Sequence, residues 1–167
     1  MPGDTYKIHT LPILRNEIKM YNLMKEERKK TIDGYVGSLR QFQGELLEAN
    51  EELLKVKSPG GDGLGGFVSE SGNRYNFLIE KKEKTYLQQN QYIEDFFPLF
   101  KEQIEYWNKR IATVERYLDK LEEKDLEFIM DLYVEDMKFR EVQNKWVMWD
   151  KSNVFRKATN ILRKALN

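Results

Sequence analysis

Apolar residues recur along this chain at steps of three and four rather than in alternation, and that rhythm predicts helices over most of its length. Leu11, Leu14, Ile18 and Tyr21 open the pattern. It lapses at Lys25 and Arg28, then resumes as Ile32, Tyr35, Leu39, Phe42, Leu46, Ala49, Leu53 and Val56. Spacing of this kind, kept up over many turns, buries one narrow seam, as coiled-coil helices do. Gly34, Gly37 and Gly44 interrupt it, and each costs about 1 kcal/mol against alanine in a helix interior. A break or bend is therefore expected near residues 31–37, with a firmer helix over 38–57. Residues 1–10 carry no such rhythm and read as a disordered lead-in.

Residues 58–73, SPGGDGLGGFVSESGN, hold six of the ten glycines and predict a loop. A glycine-rich run invites a phosphate-cradling interpretation, but the Gly-Lys-Ser/Thr ending of a P-loop is missing and no apolar strand precedes it. The run reads as a connector that lets two long helices fold back on each other. Beyond it Ile79, Tyr86, Ile93, Phe100, Trp107, Val114 and Leu121 recur every seven residues, joined from Phe97 by Ile104, Ile111 and Leu118. This predicts a helical rod from about residue 74 to 121. Pro98, after Asp95, suits a helix starting afresh there, the alternative being one long helix kinked at the proline. The aromatic stripe Phe96, Phe97, Phe100, Tyr106 and Trp107 reads as packing against the core or a partner helix.

The last third predicts three short helices. The first covers about 124–134, with Leu126, Ile129, Met130 and Tyr133 on one face. A turn at 135–137 leads to a second helix over 139–146, and a turn at 148–150 to a third, capped by Asp150 or Ser152 and running to the end. In the third helix Val154, Ala158, Ile161, Leu162, Ala165 and Leu166 share one face. Lys151, Ser152, Asn153, Arg156, Lys157, Asn160, Arg163 and Lys164 fall outside it, with no acid among them. A short helix, a tight turn and a longer helix with a basic, amide-bearing outer face is the pattern of a helix-turn-helix, whose second helix enters the DNA major groove.

Charge sharpens this picture. The 167 residues carry 28 basic and 28 acidic side chains, a net charge of zero that hides an asymmetry. Residues 112–136 hold nine acids against three bases, and residues 138–167 hold eight bases against two acids. Lys151, Arg156 and Lys157 stand near the start of the last helix, where cations oppose the helix dipole. A role in complementing that dipole therefore does not explain them, and phosphate contact does.

Leu118-x-x-Leu121, Phe128-Ile129-x-x-Leu132-Tyr133, Arg140-Glu141-Val142, Val154-x-Arg156 and Ile161-Leu162-x-x-Ala165-Leu166 resemble region four of bacterial sigma factors. The resemblance covers residues 118–166. It implies a last helix that binds an upstream promoter element, with Ser152, Asn153, Arg156 and Lys157 at its DNA-facing end and Val154 and Ala158 on its buried side. The layout as a whole resembles phage late-gene transcription regulators of the ArpU type from low-GC Gram-positive hosts. Between Glu141 and Val154 the chain has one residue more than the usual sigma-like spacing. Trp146 and Trp149 stand in or beside the turn, where small residues are common in that family. A bulkier turn and a differently tilted last helix are expected.

Enzyme chemistry finds no footing. The chain has no cysteine and a single histidine, His9. Glu45, Glu48, Glu51 and Glu52 lie at helical spacings and read as a solvated face. No cofactor or metal is expected. MPGDTYKIHT lacks the apolar core of a signal peptide, and no window approaches a membrane span, so a cytoplasmic protein of a bacterial host is expected. The expected architecture is all-α: a lead-in (1–10), a helical hairpin or coiled-coil stalk (11–121) and a three-helix helix-turn-helix module (122–167). The expected function is sequence-specific binding of double-stranded DNA in transcription control, by a homo-oligomer and most simply a dimer. Two rivals share this architecture: a small-terminase-like DNA-packaging subunit, and a sigma mimic that binds RNA polymerase without touching DNA.

Overall fold

A computed structural model describes residues 4–57 and 68–167. Among them there is no strand. The helices are α1 (Leu11–Lys19), α2 (Tyr21–Lys57), α3 (Val68–Leu118), α4 (Glu123–Ile129), α5 (Phe139–Trp146) and α6 (Lys151–Leu166), and a π-helical turn, Met130–Val134, continues α4. The fold is all-α, with a long helix pair, as the spacing predicts. No helix among the described residues is long and apolar enough to cross a membrane.

Two compact units divide the chain, one made of Met1–Lys30 with Gln103–Asn167 and the other of Thr31–Glu102. This differs from the expected division into a stalk over 11–121 and a module over 122–167. The reason lies in the first unit's core, where Leu14, Ile18 and Met24 are fully buried in one cluster with Val114, Phe128, Val142, Val154 and Leu162. Burying side chains of this size is worth about 1.5–3 kcal/mol each. Helix α1 and the first turns of α2 are therefore part of the C-terminal module's core.

The lead-in, expected to be disordered over 1–10, is built into the same unit over its described residues. Ile8 is buried; its N–H donates to the Tyr117 hydroxyl at 2.9 Å, and that hydroxyl donates back to the Ile8 carbonyl at 3.3 Å. The Tyr6 N–H donates to Thr113 Oγ1, and Arg116 donates to the Tyr6 carbonyl. An extended segment has no periodicity to betray it, so its burial was invisible to a search for spacing. Beside it lies a polar cluster. Glu17 receives Arg110 on both oxygens, at 2.7 and 3.1 Å, and the Tyr6 hydroxyl at 2.9 Å. Burial pushes the Glu17 carboxyl up, but the Arg110 and Tyr6 hydrogen bonds and the Arg110 charge outweigh it and hold the pKa below its ordinary value. Burial, then the bond to Glu17, pushes the Tyr6 hydroxyl up to about 12.

In the second unit α2 and α3 pack together, and Leu46, Ala49 and Leu53 on the first and Leu78 and Thr85 on the second are buried. Tyr35 stacks on Phe100 at 4.4 Å between ring centroids, and Tyr92 packs against Phe42 and Phe96. Ile79 and Tyr86, expected in the seam, are only half-buried and exposed, respectively. A strict seven-residue stripe drifts about 20° per heptad on a straight helix, so over five heptads the buried position moves by about one residue. Leu78, one residue before Ile79, is the buried position.

Helix continuity bears on three local expectations. No break falls near 31–37: α2 runs unbroken, and the interruption lies at Met20, between α1 and α2. Gly34 and Gly37 lie on the exposed side, so their weak propensity is offset by the packing of Tyr35 and its neighbours opposite. Of the two alternatives at Pro98, α3 follows the continuous helix; Pro98 is exposed, where the carbonyl left without a partner can take water. The loop expected over 58–73 already gives way to α3 at Val68, and its residues 58–67 lie outside the described residues.

Candidate nucleic-acid interface

The last 45 residues fold locally for reasons legible one by one. Glu123 and Asp125 place acid in the first turn of α4, where the helix dipole favours it. Asp136 takes a left-handed conformation (φ 51°), which aspartate tolerates, and the Met137 N–H donates to the Asp131 carbonyl. Helix α5 begins where the Glu141 carboxylate reaches back to accept the Lys138 N–H at 3.0 Å. It ends in a Schellman-type turn in which the Met148 N–H donates to the Gln143 carbonyl and Val147 is left-handed. Asp150 then caps α6, accepting the Ser152 N–H at 3.2 Å and the Ser152 hydroxyl at 2.7 Å, and these bonds hold its carboxyl below the usual range.

One polar cluster fixes α5 against the first helix of the module. Asp131, buried on the π-helical turn, accepts the Trp146 indole N–H at 3.1 Å and the Lys145 ammonium at 2.7 Å. The Trp146 ring stands edge-on to Phe128 at 5.4 Å. The Lys157 ammonium of α6 lies 4.8 Å from the centroid of each of these rings. Val142, Val154, Ala158 and Leu162 close the core beneath. The angle between α5 and α6 is thus set by both apolar packing and directional contacts.

The sequence-selected residues fall as follows. Lys151, Ser152, Asn153, Arg156, Asn160, Arg163 and Lys164 are exposed on α6, and Lys157 is half-buried. Ser152 is engaged at the N-cap, and Lys151 holds its ammonium 4.5 Å from the Phe139 ring centroid. Among the described residues no ion pair joins Arg156, Arg163 or Lys164 to a carboxylate. Asn153, Arg156, Asn160 and Lys164 follow one another along a cleft of about 520 Å³. At the far end of α6 the Lys120 ammonium donates to the Ala165 carbonyl, complementing the negative end of the helix.

Sequence reasoning missed the other half of this surface. Arg140, Gln143 and Asn144 of α5 line a second cleft of about 560 Å³ that meets the first at Val147, Met148 and Trp149. The short helix has only Val142 buried, so its opposite side was open to be read as a second polar face. Chemically the combined surface offers amides, guanidinium and ammonium groups suited to base edges and phosphates. Among the described residues no group of three or more His, Cys, Asp or Glu side chains is placed to hold a metal ion. No protein-family model, curated protein or solved structure matches the chain.

Proposed function

We propose that this protein is a sequence-specific double-stranded DNA-binding regulator of transcription, with α6 lying in the major groove. The observation that carries the reading is the exposed side of α6, whose outward polar residues are all cationic, amide or hydroxyl, with Arg156, Arg163 and Lys164 free of ion pairs among the described residues. A solvated helix of a neutral protein has no need of that bias, whereas a groove-docking helix requires it. Asn153 and Arg156 are the base-reading candidates, and Lys151, Arg163 and Lys164 the phosphate-contacting ones. The resemblance of residues 118–166 to sigma region four supports a promoter-like site and the control of phage or prophage late genes.

Homo-oligomerisation belongs to the same proposal. Leu47 and Leu54 lie seven residues apart on α2, 60% and 68% exposed, and Leu87 on α3 is 70% exposed, as apolar positions awaiting a second copy would be. Two copies would double the length of DNA read.

The test is selection of bound fragments from genomic DNA of the bacterial host and its phages, repeated with Arg156→Ala/Lys164→Ala. Enrichment of a promoter-like site, lost in the variant at unchanged helicity, supports the reading. Equal binding by the variant removes α6 from the interface. Mass measurement then separates a dimer, expected for regulation, from the large ring expected of a packaging subunit.

A further inference from the structure

Trp149 is the most exposed large apolar residue among those described, at 95%, and Val147 beside it follows at 80%. Their position is built, not accidental. Val147 holds a left-handed conformation that a β-branched residue adopts only at a cost, Met148 turns inward against the core, and Asp150 is fixed by Ser152. Between an anchored Met148 and a fixed Asp150, the indole of Trp149 has nowhere to go but outward. The turn forms a ridge with a cleft on each side, one carrying Arg140, Gln143 and Asn144, the other Asn153, Arg156 and Lys164.

We propose that Trp149 is a stacking platform for an unstacked nucleobase, so that the preferred DNA has a bulged or locally melted base beside the duplex that α6 engages. This rests on the DNA-binding reading above and names the state of the DNA it recognises. A protein partner would meet an apolar area of only three turn residues ringed by cations and amides. A base needs what is present: one bare aromatic face, with positive clefts to carry the strand entering and the strand leaving. Of the carboxylates at the ridge and its clefts, Asp150 is engaged by Ser152, and Asp125 lines one cleft beside Arg156, Lys157 and Lys164.

The experiment measures anisotropy of the full chain on a short mixed-sequence duplex and on the same duplex with a two-base mismatch bubble. The bubble should bind about tenfold more tightly, a factor within the range that stacking one base supplies. Trp149→Ala should erase that preference and leave perfect-duplex affinity in place; Trp149→Phe should restore part of it. Arg156→Ala/Lys164→Ala should weaken both DNAs alike. A bubble preference that is absent, or that survives Trp149→Ala, overturns the proposal. So does an equal loss on both DNAs in Trp149→Ala, or a change of oligomeric mass with DNA affinity intact, which would assign the indole to a protein contact. Unchanged binding of both DNAs by Arg156→Ala/Lys164→Ala sinks the groove-docking reading instead, so the two failures are distinguishable.

Discussion

The indole N–H of Trp146 donates to the buried carboxylate of Asp131 at 3.1 Å, tying the start of the turn between α5 and α6 to the π-helical turn that follows α4. A π-helical turn widens the helix by one residue and so re-aims the side chains beyond it. Removing the acceptor leaves a half-buried donor without a partner and Lys145 paired with Glu127 alone. Asp131→Ala should cost about 1–3 kcal/mol in denaturant unfolding. It should also weaken duplex binding, although Asp131 lies outside the α6 surface. Full stability in the variant would show that apolar packing alone sets the α5–α6 angle.

Lys157 and Arg156 are adjacent in sequence but answer to different forces. The Lys157 ammonium sits over the Phe128 and Trp146 rings, an arrangement worth about 0.5–2 kcal/mol. Lys157→Ala should therefore lower the thermal midpoint, while Arg156→Ala leaves it unchanged and lowers DNA affinity by about tenfold or more. Calorimetry and anisotropy on the two single variants separate the roles.

The cluster around Glu17 gives the protein two opposite pH dependences. Glu17 is held below its ordinary pKa when folded, so its contribution is complete above the unfolded value of about 4.3 and fades as pH falls through the folded one. Tyr6 is raised to about 12, so its contribution is complete below the unfolded value of about 10 and fades as pH rises through the folded one. Denaturation midpoints measured against pH should lose part of the acid slope in Glu17→Gln and part of the alkaline slope in Tyr6→Phe. Identical slopes in variant and parent would leave the cluster without a role in stability.

Gly34, Gly37 and Gly44 sit inside α2 with open space where a Cβ would be. Alanine at each should stabilise by about 0.5–1 kcal/mol, chiefly through the entropy of the unfolded chain. The triple variant should unfold at a visibly higher temperature. A fall in that temperature would mean that this segment needs the glycines for something other than a helix.

What could be read in advance was whatever is encoded locally. The limits of α5 over 139–146, the cap at Asp150 and the buried face Val154, Ala158, Ile161 and Leu162 follow from spacing and capping chemistry within a few residues of one another, and they are found where expected. The docking of α1 was not legible: Leu14 and Ile18 announce a helix with an apolar face but do not say that α6 covers it. Nor was Pro98, whose chemistry allows a start or a passage and whose outcome depends on the helix partner. At the surface, the basic side of α6 could be foreseen by periodicity. The exposure of Trp149 could not, because it depends on Val147 adopting a conformation that valine ordinarily avoids.

The interleaving of Leu14 and Ile18 with Val154 and Leu162 has a consequence for biosynthesis. On the ribosome the first helices emerge with their apolar faces uncovered, and the residues that cover them are not translated until more than a hundred others have followed. The exposed polar side of α6 and the opening segment therefore mature in one late event. A nascent chain interrupted before α6 carries no finished core.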